Sequence, residues 1–324
     1  MKAIVYTRYG PPDVLQLKDV ETPGPKDNEV LIKVHAATVN RTDCATVRAK
    51  PFFMRLVTGL LRPNKKVPGT EFAGEIVAVG KSVSTLKAGE KVFGFDDDGS
   101  GSQAQFLTMH EDNAVTMPEG LTYEQAAPSS EGAHYAYNFI NKVKLEKGQD
   151  ALVNGATGAI GSAAVQLLKY FEINVTAVCP TKNIALVKSL GADKVIDYTK
   201  EDFTKDDQQY NFVFDTVGKS SFFKCKKLLK PGGIYISSDL GYMAQNIFLP
   251  FITPIIKPLF GNRKTIFPMP VDIHGSLLLV KKLIEQGKFK AVIDRELPLE
   301  KIVEAYKYVE SGQKTGNVVI TVKH

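Results

Sequence analysis

The rhythm of hydrophobic and polar positions changes once along the chain. Early on it has period two, over 30–34 (VLIKV) and through parts of 71–79 (EFAGEIVAV), which predicts half-buried strands. Pro and Gly punctuate this part at 23–25, 68–69, 87–89 and 118–120. Thr122 then opens a helical stretch that Pro128 is expected to kink. From Asp150 onward, short apolar runs alternate with helical patterns. The runs are 151–154 (ALVN), 174–178 (NVTAV), 194–197 (KVID), 211–215 (NFVFD) and 234–237 (IYIS). The first helix places Ile160, Ala163, Ala164, Leu167, Leu168 and Phe171 on one face, and the second ends at Gly191. Such a series predicts a parallel sheet covered by helices. Two more helical patterns, 273–286 and 299–311, each end at a glycine, and a strand at 317–322 closes the chain. There is no internal repeat and no low-complexity tract.

Composition narrows the picture modestly. With 324 residues the chain is long enough for two domains. Its 44% hydrophobic and 23% charged residues are those of an ordinary globular protein. A net charge of +6, with no basic block of the kind that tracks a phosphate backbone, argues against nucleic acid and suits an anionic small ligand. Three cysteines, an odd number with no CxxC pair, argue against a disulfide framework and a cysteine-built zinc site. The opening MKAIVYTRYG lacks the apolar core of a signal peptide, so the expected compartment is the cytoplasm.

The candidate chemistry starts at 155–161, GATGAIG. Gly155, Gly158 and Gly161 follow a strand and open a helix. A tight turn there needs a residue without Cβ, and a pyrophosphate needs bare backbone N–H groups at a helix N-terminus. The loop Gly155, Ala156, Thr157, Gly158, Ala159, Ile160, Gly161 therefore reads as a dinucleotide site, although its spacing is GxxGxxG and glycines also serve close packing. Past the second strand, residues 173–192 contain no Asp or Glu to bind a ribose 2′-hydroxyl. Thr181 and Lys182 stand there instead, which favours the 2′-phosphate of NADPH over NADH; a capping Thr beside a solvated Lys is the plainer alternative.

GATGAIGSAAVQLLK, VCPTKN, KSLGADKVIDY, FDTVG and LLKPGG, with EVLIKVHAATVNRTD and PGTEFAGEIVAVG before them, resemble the medium-chain dehydrogenase/reductase superfamily over essentially the whole chain. The resemblance is strongest to its zinc-free quinone oxidoreductase branch, the relatives of zeta-crystallin. It implies an α/β fold: a GroES-like, mostly-β catalytic domain at 1–123 with 272–324, and a Rossmann doubly wound parallel-sheet domain at 124–271. Zinc-bearing relatives carry a Cys where this chain has Asn40 and a His where it has Thr70, and a third ligand has no match in APSSEGAHYAY, so no metal is expected.

The same resemblance assigns roles. Asn40 borders nicotinamide and substrate, and Tyr198 packs near the 2′-phosphate. Backbone at Gly241 lies beside the nicotinamide, and the segment of Asn317 approaches the cofactor. Turn, strand-end and packing roles remain open for these residues. Glu131, His134 and Tyr135 depart from the family pattern, as proton donors or substrate contacts on one reading and as helix packing on the other; Tyr135 joins Asn40 as a catalytic candidate. The apolar stretch 243–260, with Pro250, Pro254 and Pro258, reads as a pocket lid or subunit interface in preference to a membrane-surface contact. The edge strand of the cofactor sheet is placed at 266–270 (IFPMP) and implies a homodimer. The expected reaction is zinc-independent hydride transfer from NADPH, in a crevice between the domains, to an apolar quinone or α,β-unsaturated carbonyl. The alternatives are a zinc-type alcohol dehydrogenase or carbonyl reductase, and a non-catalytic NADPH-binding regulator.

Overall fold

The computed structural model describes residues 1–237, 246, 249–250, 262–269 and 271–324. The chain divides into two compact units, Met1–Glu131 with Asp272–His324, and Gly132–Val271.

The first unit is mostly β. A two-stranded ribbon, β1 (Lys2–Val5) with β2 (Gln16–Asp19), accompanies a seven-stranded sheet. That sheet holds β3 (Glu29–Val39), β4 (Glu71–Val79), β5 (Lys91–Phe95), β6 (Phe106–His110) and β7 (Ala114–Thr116). The late strands β14 (Ile293–Pro298) and β15 (Asn317–Thr321) complete it. β3 is its spine: it pairs antiparallel with β4, β6 and β15. Its alternation buries Val30, Ile32, Val34 and Ala36 completely. Val30, Ile32 and Val34 pack with Phe72, Ile76, Tyr306 and Ile320, each buried aliphatic contributing about 1.5–3 kcal/mol. The expected helix at Thr122 forms with a Thr122/Gln125 capping box, then tightens at Pro128 into a 3₁₀ turn before the helix Glu131–Ile140 begins. The first unit runs on to Glu131, beyond the expected boundary after residue 123, because Ala126 and Ala127 pack into its core with Phe93, Val115 and Leu277. The helices Ile273–Glu285 and Ile302–Glu310 match the two late patterns. β14 carries no clear alternation and was not anticipated.

Among the described residues the second unit holds a six-stranded sheet of β8 (Asp150–Asn154), β9 (Asn174–Cys179), β10 (Lys194–Asp197), β11 (Tyr210–Asp215), β12 (Leu229–Ser237) and β13 (Lys264–Ile266). The order is β10-β9-β8-β11-β12-β13, parallel at every step. The chain winds outward from β8 to β10 and then returns to the other side of β8, so the switch point lies between the carboxyl ends of β8 and β11. Its core joins Leu152, Val178, Val213, Phe222 and Tyr235. The edge strand β13 begins two residues before the segment expected. Gly241 and nearly all of 243–260 lie outside the described residues. All three cysteines are free and buried. No helix among the described residues is long and apolar enough to cross a membrane.

Candidate active site

The glycine loop stands at the switch point. Gly155 follows β8 with φ +82°, and a Cβ there would lie 2.4 Å from Val217 Cγ1, past the end of β11. A Cβ on Gly161 would lie 2.1 Å from the Gly155 carbonyl oxygen, so the helix Ala159–Tyr170 presses against the turn. Gly158 is the N-cap, and no side chain caps that helix. The Ala156 N–H is spent on Val178 O and the Gly158 N–H on Gly155 O. The first-turn N–H groups on Ala159, Ile160 and Gly161 have no carbonyl to reach and face outward with the helix dipole. This cradle fits a dinucleotide pyrophosphate. Thr157 lies within it.

The carboxyl edge of β9 is less simple than its sequence. Thr181 donates its hydroxyl to Asp197, the last residue of β10, and lies 3.0 Å from the Thr199 hydroxyl. Asp197 also accepts the Thr199 N–H at 3.0 Å and its hydroxyl at 2.6 Å. The two threonine hydroxyls hold that carboxyl down to about 2. The Thr181 proton is therefore committed, and the cation that remains for a phosphate there is Lys182. Tyr198, 55% exposed, flanks Asp197 in sequence, and Lys200 Nζ stands 3.7 Å from the carboxylate. Asp197 escaped the sequence search because it sits on the third strand. Parallel register brings it beside Cys179 at the end of β9.

In the first unit the segments that bear zinc ligands in zinc-type relatives meet. Asn40 follows β3 as the N-cap of the helix Arg41–Arg48, with its N–H on Asp43 at 2.7 Å. Its side-chain Nδ2 donates to Glu71 Oε1 at 2.7 Å and Glu131 Oε2 at 3.0 Å. Lys314 Nζ donates to its Oδ1 at 3.1 Å and to Gly316 O at 2.7 Å, which fixes the amide's orientation. Both amide protons are thus already given to carboxylates, and Asn40 can donate to a further oxygen only by releasing one of them. Thr42 and Thr70 donate to Glu131 at 2.6 and 2.8 Å, and Thr38 and Ser130 donate to Glu71 at 2.9 Å each. The Glu131 N–H adds a 2.7 Å bond to Glu71.

The cluster is dry. Glu71, Asp43, Glu131 and Asn40 are each at most 4% exposed. Burial and the Glu131 charge push the Glu71 carboxyl up to about 7, and the same two causes raise Asp43. Burial lowers the Lys314 ammonium, against the pull of Glu131 and Glu71. No group of three or more His, Cys, Asp or Glu side chains among the described residues is arranged to hold a metal ion.

Glu131 joins this cluster, and His134 and Tyr135 lie one turn further along the same helix. His134 is fully buried, with Nε2 3.3 Å from Asn138 Nδ2 and its ring edge-on to Tyr135 at 5.6 Å. Asn317, 2% exposed, donates to Val292 O at 3.1 Å and leaves its Oδ1 buried without a partner, an acceptor open to a donor. Sequence reading missed Lys314 and Glu71. The only local signal for Lys314 was a lysine between two glycines, Gly312 and Gly316.

The family model of the alcohol dehydrogenase GroES-like domain matches residues 26–119, and that of zinc-binding dehydrogenases matches 190–320. A 2-methylene-furan-3-one reductase of Solanum lycopersicum is 34% identical over 335 residues, covering 99% of this chain and 79% of the relative. An NADPH-dependent alkenal/one oxidoreductase of Arabidopsis thaliana, a chloroplastic protein, is 32% identical with the same coverage. The solved quinone oxidoreductase from Coxiella burnetii is 28% identical, with a TM-score of 0.88 over 100% of this chain and 99% of that one. The chain belongs to the medium-chain dehydrogenase/reductase superfamily, in its zinc-free quinone oxidoreductase branch, and is a dinucleotide-dependent oxidoreductase.

Proposed function

We propose that this protein reduces a quinone or an α,β-unsaturated carbonyl with NADPH and without zinc. One observation carries the reading: the segments that bear zinc ligands in relatives are closed here by an amide, two carboxylates and the Lys314 ammonium. The names of the tomato and Arabidopsis relatives, an enone reductase and an NADPH-dependent alkenal/one oxidoreductase, support the substrate class and the cofactor.

When bound, NADPH supplies the hydride. The chain's residues do the rest. The helix N-terminus at Ala159–Gly161 and the Gly155 turn hold the pyrophosphate. Lys182 meets the 2′-phosphate, with Tyr198 beside it. Asp197 is engaged by Thr181 and Thr199, which keeps its carboxylate turned to the two threonines. Asn317 Oδ1 offers an acceptor for the carboxamide. Negative charge that develops on the acceptor oxygen must be met by donors in a dry site. Tyr135 can offer a hydroxyl, and Asn40 an N–H that it gives up from Glu71 or Glu131. The terminal place of β13 among the described strands of its sheet makes a homodimer part of this reading.

The test is NADPH consumption by chelator-treated protein, with a benzoquinone and a 2-alkenal as separate acceptors and NADH as control. Turnover should survive chelation and prefer NADPH. Lys182→Ala should lower kcat/KM for NADPH about tenfold, the value of one charge-assisted hydrogen bond, and leave NADH nearly unchanged. Loss of turnover on chelation, or equal use of NADH by the unmodified protein, overturns the reading.

A further inference from the structure

One stretch of the first unit, 44–70, is basic throughout. That stretch has Arg48, Lys50, Arg55, Arg62, Lys65 and Lys66 and no Asp or Glu. Arg48 pairs with Glu310. No ion pair among the described residues involves the other five cations. The same stretch holds four strongly exposed large apolar side chains: Phe52 at 70%, Leu56 at 76%, Leu60 at 59% and Leu61 at 84%.

This segment is built, not frayed. A 3₁₀ turn, Phe52–Met54, runs into one helical turn, Arg55–Thr58. Gly59 reverses the chain at φ +121°, where a Cβ would meet Arg62 O at 2.1 Å. Tyr9 pins the arch from below: its hydroxyl donates to Gly59 O at 2.7 Å and lies 2.9 Å from Thr58 Oγ1. The Arg55 guanidinium is 5.1 Å from both the Tyr9 and the Phe52 ring centroids. A fixed arch therefore shows four large apolar side chains to water within ten residues, among cations that lack carboxylate partners.

We infer that the arch of residues 50–66 is a membrane-surface contact, its lysines and arginines taking anionic lipid headgroups and its leucines and Phe52 entering the acyl boundary. Charge complementarity chooses this occupant. A second copy docked arch to arch would set five cations against five. A single-stranded nucleic acid would need ring faces to stack on, and three of the four apolar groups are aliphatic. Basic residues interleaved with Leu and Phe are what an anionic interface binds. The inference is independent of the proposed reaction.

The experiment is co-sedimentation of the full chain with vesicles of phosphatidylcholine alone or mixed with phosphatidylglycerol, at low and high salt. Thermal unfolding without vesicles controls for folding. The protein should sediment with the mixed vesicles at low salt, be released by high salt, and ignore neutral vesicles. The exposed triple variant Leu56→Gln/Leu60→Gln/Leu61→Gln, and separately Arg62→Glu/Lys65→Glu, should each bind about tenfold or more weakly while melting normally, since about 1 kcal/mol per cation near the surface is at stake. Absence of binding to mixed vesicles, equal binding to neutral ones, or undiminished binding by both variants overturns the inference. So does a triple variant whose sole change is in self-association.

Discussion

Glu71 has no oxygen facing water, and its charge is opposed by Glu131 a bond away through Asn40. Its folded carboxyl sits near 7 against an ordinary 4.5, so the folded protein holds a proton there that the unfolded chain has released. The unfolding free energy should therefore fall as pH rises from about 4.5 to about 7 and level off above that. Ser130 makes the protonated state accommodating, since its hydroxyl can turn from Glu71 to Gly94 O at 3.1 Å or Ala127 O at 3.2 Å. Glu71→Gln, which mimics the protonated acid, should flatten that part of the stability–pH curve, measured by urea unfolding at several pH values. An unchanged slope would place the proton elsewhere. Little of this was legible in the chain. Asn40 and Glu131 could be picked out from their motifs, but Lys314 lies 274 residues from the amide it orients. Only the antiparallel pairing of β15 with β3 brings the two together.

At the scale of elements, the glycine loop makes a graded prediction. Gly155 has a left-handed backbone and no room, Gly161 has no room, and Gly158 has φ −74° with its nearest neighbour, Gly155 O, 3.8 Å from a Cβ. Gly155→Ala and Gly161→Ala should each destabilise the second unit by about 2 kcal/mol or more and abolish dinucleotide binding, while Gly158→Ala should melt nearly as the unmodified protein. Thermal melts with and without NADPH would read both effects, and equal losses at all three positions would contradict the packing described. This element was legible because its requirements are local: one strand, one turn and one helix in succession. Asp197 was not, because it reaches Thr181 through sheet register and not through the order of residues. β14 was missed for a related reason. Its burial alternates weakly, and its partner β15 comes from beyond a helix.

The whole molecule repeats this distinction. The strand–helix series of the second unit announced a parallel sheet, since each βαβ step is contiguous. The first unit is assembled from two separated stretches of chain, and the early period-two pattern could not show that the last 53 residues complete its sheet. The basic arch was hidden by averaging, because a modest net charge conceals a local run of one sign. The buried cysteines have a consequence of another kind. Quinones and enals arylate and alkylate thiolates, so a protein that turns them over stands in its own reagent. Burial pushes Cys179 and Cys225 up to about 11 and Cys44 higher still, with no more than 7% of any of the three exposed. Intact-mass analysis after exposure to excess benzoquinone should show no thiol adduct on the folded protein and up to three once it is unfolded. A rapid adduct on the native chain would instead reveal an opening motion that reaches a cysteine. On this account the fold protects its own thiols from the electrophiles its active site is built to reduce.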